Sequence, residues 1–132
     1  MAALIDTSVL IDVERGTLTL ASLADRYGDE DTAVSAITVS ELLHGVHRLA
    51  GARAARAEAF VEGLLDMMAV LPFDAFEARV HARLSAELQS KGTPVGAHDL
   101  LIAATAVAHD YRVVTRDLRS FPKIRGLDVV RV

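Results

Sequence analysis

Five short apolar runs, residues 2–5, 32–37, 68–71, 112–115 and 127–132, carry charge only near their margins and are separated by longer stretches of helical period. Parallel strands need crossover connections of a dozen or more residues, so this alternation is what a sheet of parallel strands joined by helices leaves in a sequence. A strand covered on both faces reads as a nearly continuous apolar run, as these do. The expected fold is α/β, with three α/β/α layers around a central, mainly parallel twisted sheet of about five strands.

The intervening stretches resolve into helices by their punctuation. Residues 8–13 and 17–27 read as two helices split at Gly16, and 40–50 with 53–67 as a helical pair broken near Gly51. Residues 74–91 form a longer one, opened by Asp74 with Glu77 three positions on, the spacing of a capping box, and closed by Gly92, Thr93 and Pro94. Residues 97–109 are nearly all apolar, and a helix apolar on every side must be buried. At 132 residues the chain is expected to be one domain, 1–132, because a single core can be filled at that size.

Cysteine is absent, which excludes disulfides, thiolate zinc sites and cysteine nucleophiles, and fits a reducing, cytoplasmic setting. Any metal must be held by oxygen or imidazole. His44 and His47 stand three apart with no further ligand motif, so no zinc site is expected. No signal peptide is legible at the amino terminus, and the longest uncharged runs, such as 100–108, fall far short of the roughly 20 residues that cross a bilayer, so no membrane association is expected. A net charge of -4 argues against a nucleic-acid partner, yet residues 112–131 carry Arg112, Arg116, Arg119, Lys123, Arg125 and Arg131 against only Asp117 and Asp128. One end of the chain is locally basic.

Four acids fall at the ends of separate elements. Asp6 follows the first run, Glu41 lies just beyond the second, Asp99 opens the apolar helix, and Asp117 follows the fourth run. Each has a structural alternative: Asp6 can cap the next helix, Glu41 completes a capping box with Thr38, Asp99 suits a helix amino terminus, and Asp117 can turn the chain. Their conjunction points further. Parallel strands direct all their carboxyl ends to one edge, where open α/β sheets bind ligands. Carboxylates gathered there raise one another's pKa unless a cation neutralises them. Oxygen-only ligands in an incomplete cage suit Mg²⁺ or Mn²⁺, which lower the pKa of water and stabilise charge on phosphoryl oxygens. Thr7, Ser8 and Thr115 can orient such ligands or serve as caps, and Arg116 can meet a phosphate or stay on the surface.

The stretches 4–10 (LIDTSVL), 40–46 (SELLHGV), 96–104 (GAHDLLIAA) and 114–117 (VTRD) resemble the PIN-domain family, specifically VapC toxins of VapBC toxin-antitoxin systems. Each motif is short, but their order and spacing span nearly the whole chain. The resemblance implies a PIN-like fold, with Asp6, Glu41, Asp99 and Asp117 as metal-binding and catalytic acids. It implies Mg²⁺- or Mn²⁺-dependent endonucleolytic cleavage of structured RNA, tRNA or rRNA, which inhibits translation. It also implies a homodimer silenced by a VapB antitoxin, in a heterotetramer or larger complex, with the region of Arg48, Arg53 and Arg56 holding that antitoxin. Relatives often carry Asn at the fourth position, which makes Asp117 the least critical of the four. The rival expectation is a PIN-like module that binds a partner or RNA without cleaving it.

Overall fold

The computed structural model describes residues 2–28 and 30–132. Five strands, β1 (Ala3–Ile5), β2 (Thr32–Ser35), β3 (Ala69–Leu71), β4 (Arg112–Thr115) and β5 (Val129–Arg131), form one sheet in the order β3-β2-β1-β4-β5. All four pairings are parallel, in a register that sets Leu4 beside Ala33 and Ile5 beside Val114. The helices are α1 (Thr7–Arg15), α2 (Leu20–Tyr27), α3 (Ala36–His47), α4 (Gly51–Met67), α5 (Ala75–Ser90) and α6 (Ala97–His109), followed by a 3₁₀ turn at Phe121–Lys123.

The pleat distributes the strands between two cores. Ala3, Ile5, Val34 and Val114 face the side where α1, α2 and α4 supply Val9, Leu10, Leu23, Val61 and Leu64. Leu4, Ala33 and Val113 face the opposite side, against Leu84 and Leu88 of α5 and Ile102, Ala103 and Ala106 of α6. Leu4, Leu10 and Ile102 are 0% exposed, and each contributes about 1.5–3 kcal/mol through burial. The expected α/β/α layering and the burial of the apolar helix are both realised.

One boundary differs in a way that bears on function. The run 32–37 was expected to be wholly strand, but β2 stops at Ser35. The Ser35 hydroxyl accepts the Ile37 amide at 3.0 Å and caps α3, which begins four residues earlier than its expected start at residue 40. Ile37 lies in the first helical turn and packs into the second core, so its apolar, β-branched side chain imitates a strand residue. Thr38 is therefore the third residue of α3 and Glu41 lies in its second turn, and their capping-box spacing caps nothing. By contrast the box at Asp74 and Glu77 forms, with Glu77 Oε1 accepting the Asp74 amide at 2.8 Å.

The sheet order places β1 at the centre. The chain leaves β1 across one face toward β2, whereas the return through α5 and α6 to β4 crosses the other. Connections that diverge from neighbouring strands open a crevice at the strands' carboxyl ends. Here that crevice lies between the ends of β1 and β4, which Asp6 and Asp117 follow.

Candidate active site

Asp6 continues β1 in extended geometry, with φ -72 and ψ 152, and its amide donates to Val114 O at 2.9 Å. It occupies the N-cap position of α1, yet its side chain makes no cap hydrogen bond. Instead Oδ2 accepts the Ser8 hydroxyl at 2.7 Å and the Thr115 hydroxyl at 2.8 Å, with Asp6 only 4% exposed. Thr115 ends β4, and its Oγ1 also accepts the Asp117 amide at 3.0 Å. Ser8 Oγ accepts the Arg116 amide at 3.0 Å. These hydroxyls tie the first acid to the segment that carries the fourth.

Glu41 reaches the crevice from α3. Its Oε1 accepts the Thr7 hydroxyl at 2.7 Å, and His98 Nδ1 lies 3.4 Å from Oε2. Asp99 stands in the first turn of α6, where the helix dipole favours an anion. Gly96 precedes it at close quarters, and a Cβ there would lie 3.3 Å from Asp99 Oδ2. Asp117 is held by its near neighbour Arg119, whose amide donates to Oδ1 at 2.9 Å and whose guanidinium donates to Oδ2 at 2.7 Å.

Asp6 and Asp99 feel the charge of neighbouring acids. Burial pushes the Asp6 carboxyl above its ordinary value, the Ser8 and Thr115 hydroxyls draw it partly back, and the Asp99 charge raises it again. Burial likewise raises Asp99; the Ser120 hydroxyl offsets part of the rise, and the Asp117 and Glu41 charges add to it. Hydrogen bonds from Arg119 hold Asp117 below the carboxylate range. Asp99 is thus the meeting point of the set, and two of its members are held in a state that disfavours their own ionisation. Among the described residues, no three His, Asp or Glu side chains are arranged as a ready ligand set for one ion. The acids line the crevice rather than form a closed cage.

In the sequence Arg119 reads only as part of the basic stretch, and its hold on Asp117 is directly testable. Arg119→Ala is expected to return the Asp117 carboxyl toward its ordinary value of 3.8, an upward shift, because the first cause of the depression is the Arg119 side chain. Carbon-13 NMR titration of the Asp117 carboxyl reads this, and an unmoved midpoint would show that the arginine does not control it.

Most basic residues of the stretch 112–131 have partners within the chain. Arg112 is paired with Glu30 and lies over the Tyr27 ring at 5.4 Å, Arg116 Nε contacts Asp12 Oδ2 at 2.8 Å, and Arg119 binds Asp117. Lys123 Nζ donates to Pro94 O at 3.3 Å. Two of the six basic residues, Arg112 and Arg116, are thus matched by acids from elsewhere in the chain, and Arg119 by Asp117 within the stretch. A groove of about 430 Å³ runs beside Asp117, bordered by Ser8, Asp12, Arg15 and Arg116. A separate, more apolar cavity of about 310 Å³ between Leu20, Leu23, Tyr27 and Met68 contains none of the four acids.

The hydroxyls of Thr7, Ser8 and Thr115 hydrogen-bond to the Glu41 and Asp6 carboxylates. Thr38, Ser120 and His98 were missed as site neighbours. Thr38 was seen only as half of a capping box, Ser120 gives no local signal, and His98 looks like an ordinary surface histidine until α6 is placed beside α3.

A family model described as the PIN domain matches residues 3–127. The chain is 35% identical to ribonuclease VapC1 of Rickettsia felis, over all of this chain and 97% of the relative. It is 38% identical to the tRNA(fMet)-specific endonuclease VapC of Salmonella typhimurium, over 73% of this chain and 71% of the relative. Among solved structures, VapBC from Salmonella typhimurium bound to DNA superposes with a TM-score of 0.89 at 30% identity, covering 99% of this chain and 98% of that one. VapBC2 from Rickettsia felis, bound to a promoter DNA fragment, gives 0.91 at 23% identity, over 100% of this chain and 99% of that one, a likeness of fold. With its parallel sheet, its acid-lined crevice and these relatives, the chain belongs to the PIN domain family, within the VapC group of ribonucleases.

Proposed function

We propose that the chain is a single PIN domain acting as a Mg²⁺- or Mn²⁺-dependent endoribonuclease toxin, which cleaves structured cellular RNA in the cytoplasm and halts translation until an antitoxin covers its site. The observation that carries this is the placement of the four acids at the switch point of a parallel sheet, with Asp6 and Asp99 raised by burial and by neighbouring acid charge, Glu41 held by the Thr7 hydroxyl and Asp117 held by Arg119. Buried carboxylates raised by a neighbouring acid's charge, as Asp6 and Asp99 are, gain most from a cation beside them. Their donor chemistry is all oxygen, and their open spacing suits a small hard cation that keeps several waters and takes oxygen from substrate phosphate. When bound, such a cation supplies an acidified water and stabilises charge on the phosphoryl oxygens.

The chain's own residues do the rest. Asp6 and Asp99 provide buried negative charge; Ser8 and Thr115 fix the orientation of Asp6 through its Oδ2. Glu41, held by Thr7, is a proton acceptor at the mouth of the site. The groove beside Asp117 offers space for the RNA backbone, with Arg15 on its wall. tRNA is the favoured substrate class, since relatives from Salmonella typhimurium and Shigella flexneri bear the name tRNA(fMet)-specific endonuclease. An antitoxin partner is supported by similar structures that include VapBC-5 from Mycobacterium tuberculosis, a member of the VapBC family of toxin-antitoxin systems, and a toxin-antitoxin complex from Klebsiella pneumoniae. A groove between Glu14, Leu49, Arg53, Arg56 and Phe60 is a candidate seat for it, and a homodimer assembled with antitoxin into a heterotetramer or larger complex is the proposed form.

Cleavage of total tRNA by the purified chain, with mapping of the new 5′ ends, tests the activity. Treatment with EDTA is expected to stop cleavage and added Mg²⁺ or Mn²⁺ to restore it. Undiminished cleavage after thorough chelation would remove the metal from the mechanism.

A further inference from the structure

Two helices leave the acid site in the same way. α1 follows β1 and α3 follows β2, and the two strands are parallel neighbours, so both helices start from one sheet edge and pack into the same core. Near their starts they meet, where the Thr7 hydroxyl donates to Glu41. On α1, Ser8 binds Asp6 and is followed seven residues later by Arg15; on α3, Glu41 is followed seven residues later by Arg48, the C-cap. Seven residues are close to two turns, so each arginine shares a helix face with the site residue before it, about 10 Å further along.

Both arginines border one groove of about 320 Å³, together with Glu14, Glu41 and His44. Arg15 also borders the groove beside Asp117, so the pair stands where the two grooves adjoin. Arg15 and Arg48 are exposed, and among the described residues neither forms an ion pair, nor does Glu14 beside them. Arg116 and Arg119 differ, because each already faces a carboxylate. A phosphate at those two competes with that carboxylate, whereas at Arg15 and Arg48 it displaces only water and counterions. Arg53 and Arg56, close to Arg48 in sequence, border a different groove, the candidate antitoxin seat.

We propose that Arg15 and Arg48 form a clamp for a phosphate of the RNA strand that flanks the scissile one, which sets Arg48 apart from Arg53 and Arg56. The proposal rests on the nuclease reading given above and adds the residues that grip the substrate outside the acid crevice. A guanidinium presents a planar fork of N–H donors that matches phosphate oxygens, and two of them on neighbouring helices fix where the strand lies relative to the acids. The competing use of both residues is structural, since a helix dipole favours a cation in the last turn or at the C-cap.

Filter binding of end-labelled total tRNA, in the Asp99→Asn background with Mg²⁺ and over a range of salt, is compared with tRNA cleavage by the otherwise unaltered chain. Arg15→Ala combined with Arg48→Ala is expected to weaken binding about tenfold, as loss of a charged hydrogen bond does, and to flatten the salt slope by about 0.7 to 0.9, the share of one phosphate. The apparent KM should rise about tenfold with kcat within about twofold, the signature of lost binding that is uniform between substrate and transition state. Arg79→Ala, at an exposed position on α5 across the sheet, should bind like the parent. A double variant with the parent's affinity, slope and KM would overturn the proposal and leave the groove to a protein partner; an equal loss in Arg79→Ala would overturn it too. A lower melting temperature with unaltered tRNA affinity would make both arginines structural. If tRNA binds through the pair but the parent never cleaves it, the nuclease reading fails and the clamp stands; if the parent neither binds nor cleaves tRNA, both fall.

Discussion

Asp99→Asn is expected to lower RNA cleavage by more than about 100-fold, beyond what loss of a supporting group at a metal site costs, while leaving the fold intact. Asp99 is the residue on which the charges of Asp117 and Glu41 converge, and its own charge acts on Asp6. Removing it takes negative charge from the centre of the site and one oxygen donor from any cation there. The stability effect has the opposite sign. Folding raises the Asp99 pKa above its ordinary value of 3.8, so the folded state favours the neutral carboxyl. The stability tied to this group is complete below that value and is lost as pH rises through the folded pKa. At neutral pH without metal, the uncharged amide escapes that loss, and the variant should melt at or above the parent's temperature. Mg²⁺ should raise the melting temperature of the parent more than that of the variant, since only binding to the native state stabilises it. Cleavage within tenfold of the parent would remove Asp99 from the mechanism; a collapse in melting temperature would make its role structural. Asp6→Asn is expected to behave alike for activity.

The largest loss of stability is expected at Glu77→Ala, far from the chemistry. Glu77 is 2% exposed, accepts the Asp74 amide at 2.8 Å and lies with Oε2 at 2.6 Å from His109 Nε2. One side chain therefore caps α5 and joins it to the carboxyl-terminal turn of α6. Alanine leaves the Asp74 amide and the half-buried imidazole without this partner, at a cost of about 1–3 kcal/mol for each unsatisfied group. A total of about 3 kcal/mol corresponds to a melting temperature lower by about 10 °C in a domain of this size. Glu77 is held below its ordinary value of 4.5, first by the Asp74 amide, so its contribution is present above that value and is lost as pH falls through the folded pKa. Parent and variant should converge in stability as the solution is acidified below that range. Cleavage per folded molecule should not change, because the pair touches none of the four acids. A melting temperature within 2 °C of the parent, a bound set from the same scaling, would show that α5 and α6 do not depend on the pair.

The contrast between these two sites traces how far local sequence information reaches. Asp74 and Glu77 are three residues apart, and their capping box is formed as their spacing suggested. Thr38 and Glu41 have the same spacing and a fitting first residue, yet Ser35 caps the helix instead. The difference is the packing of Ile37 in the second core, which draws the helix start back by a turn. Similarly, Arg112 looks available to a phosphate in sequence but pairs with Glu30, 82 residues away, once β4 lies against β1.

The sequence alone determined the alternation of strands and helices, the burial of α6 and the strand-end placement of Asp6 and Asp117, because backbone period, capping and hydrophobic patterning act over a few residues. Only the tertiary structure decided that Thr115 would bind Asp6 across 109 residues, that Glu41 would be held by Thr7 and that Arg119 would occupy Asp117. Those contacts depend on strand order and helix register, which bring distant side chains within hydrogen-bonding range and which no local pattern encodes.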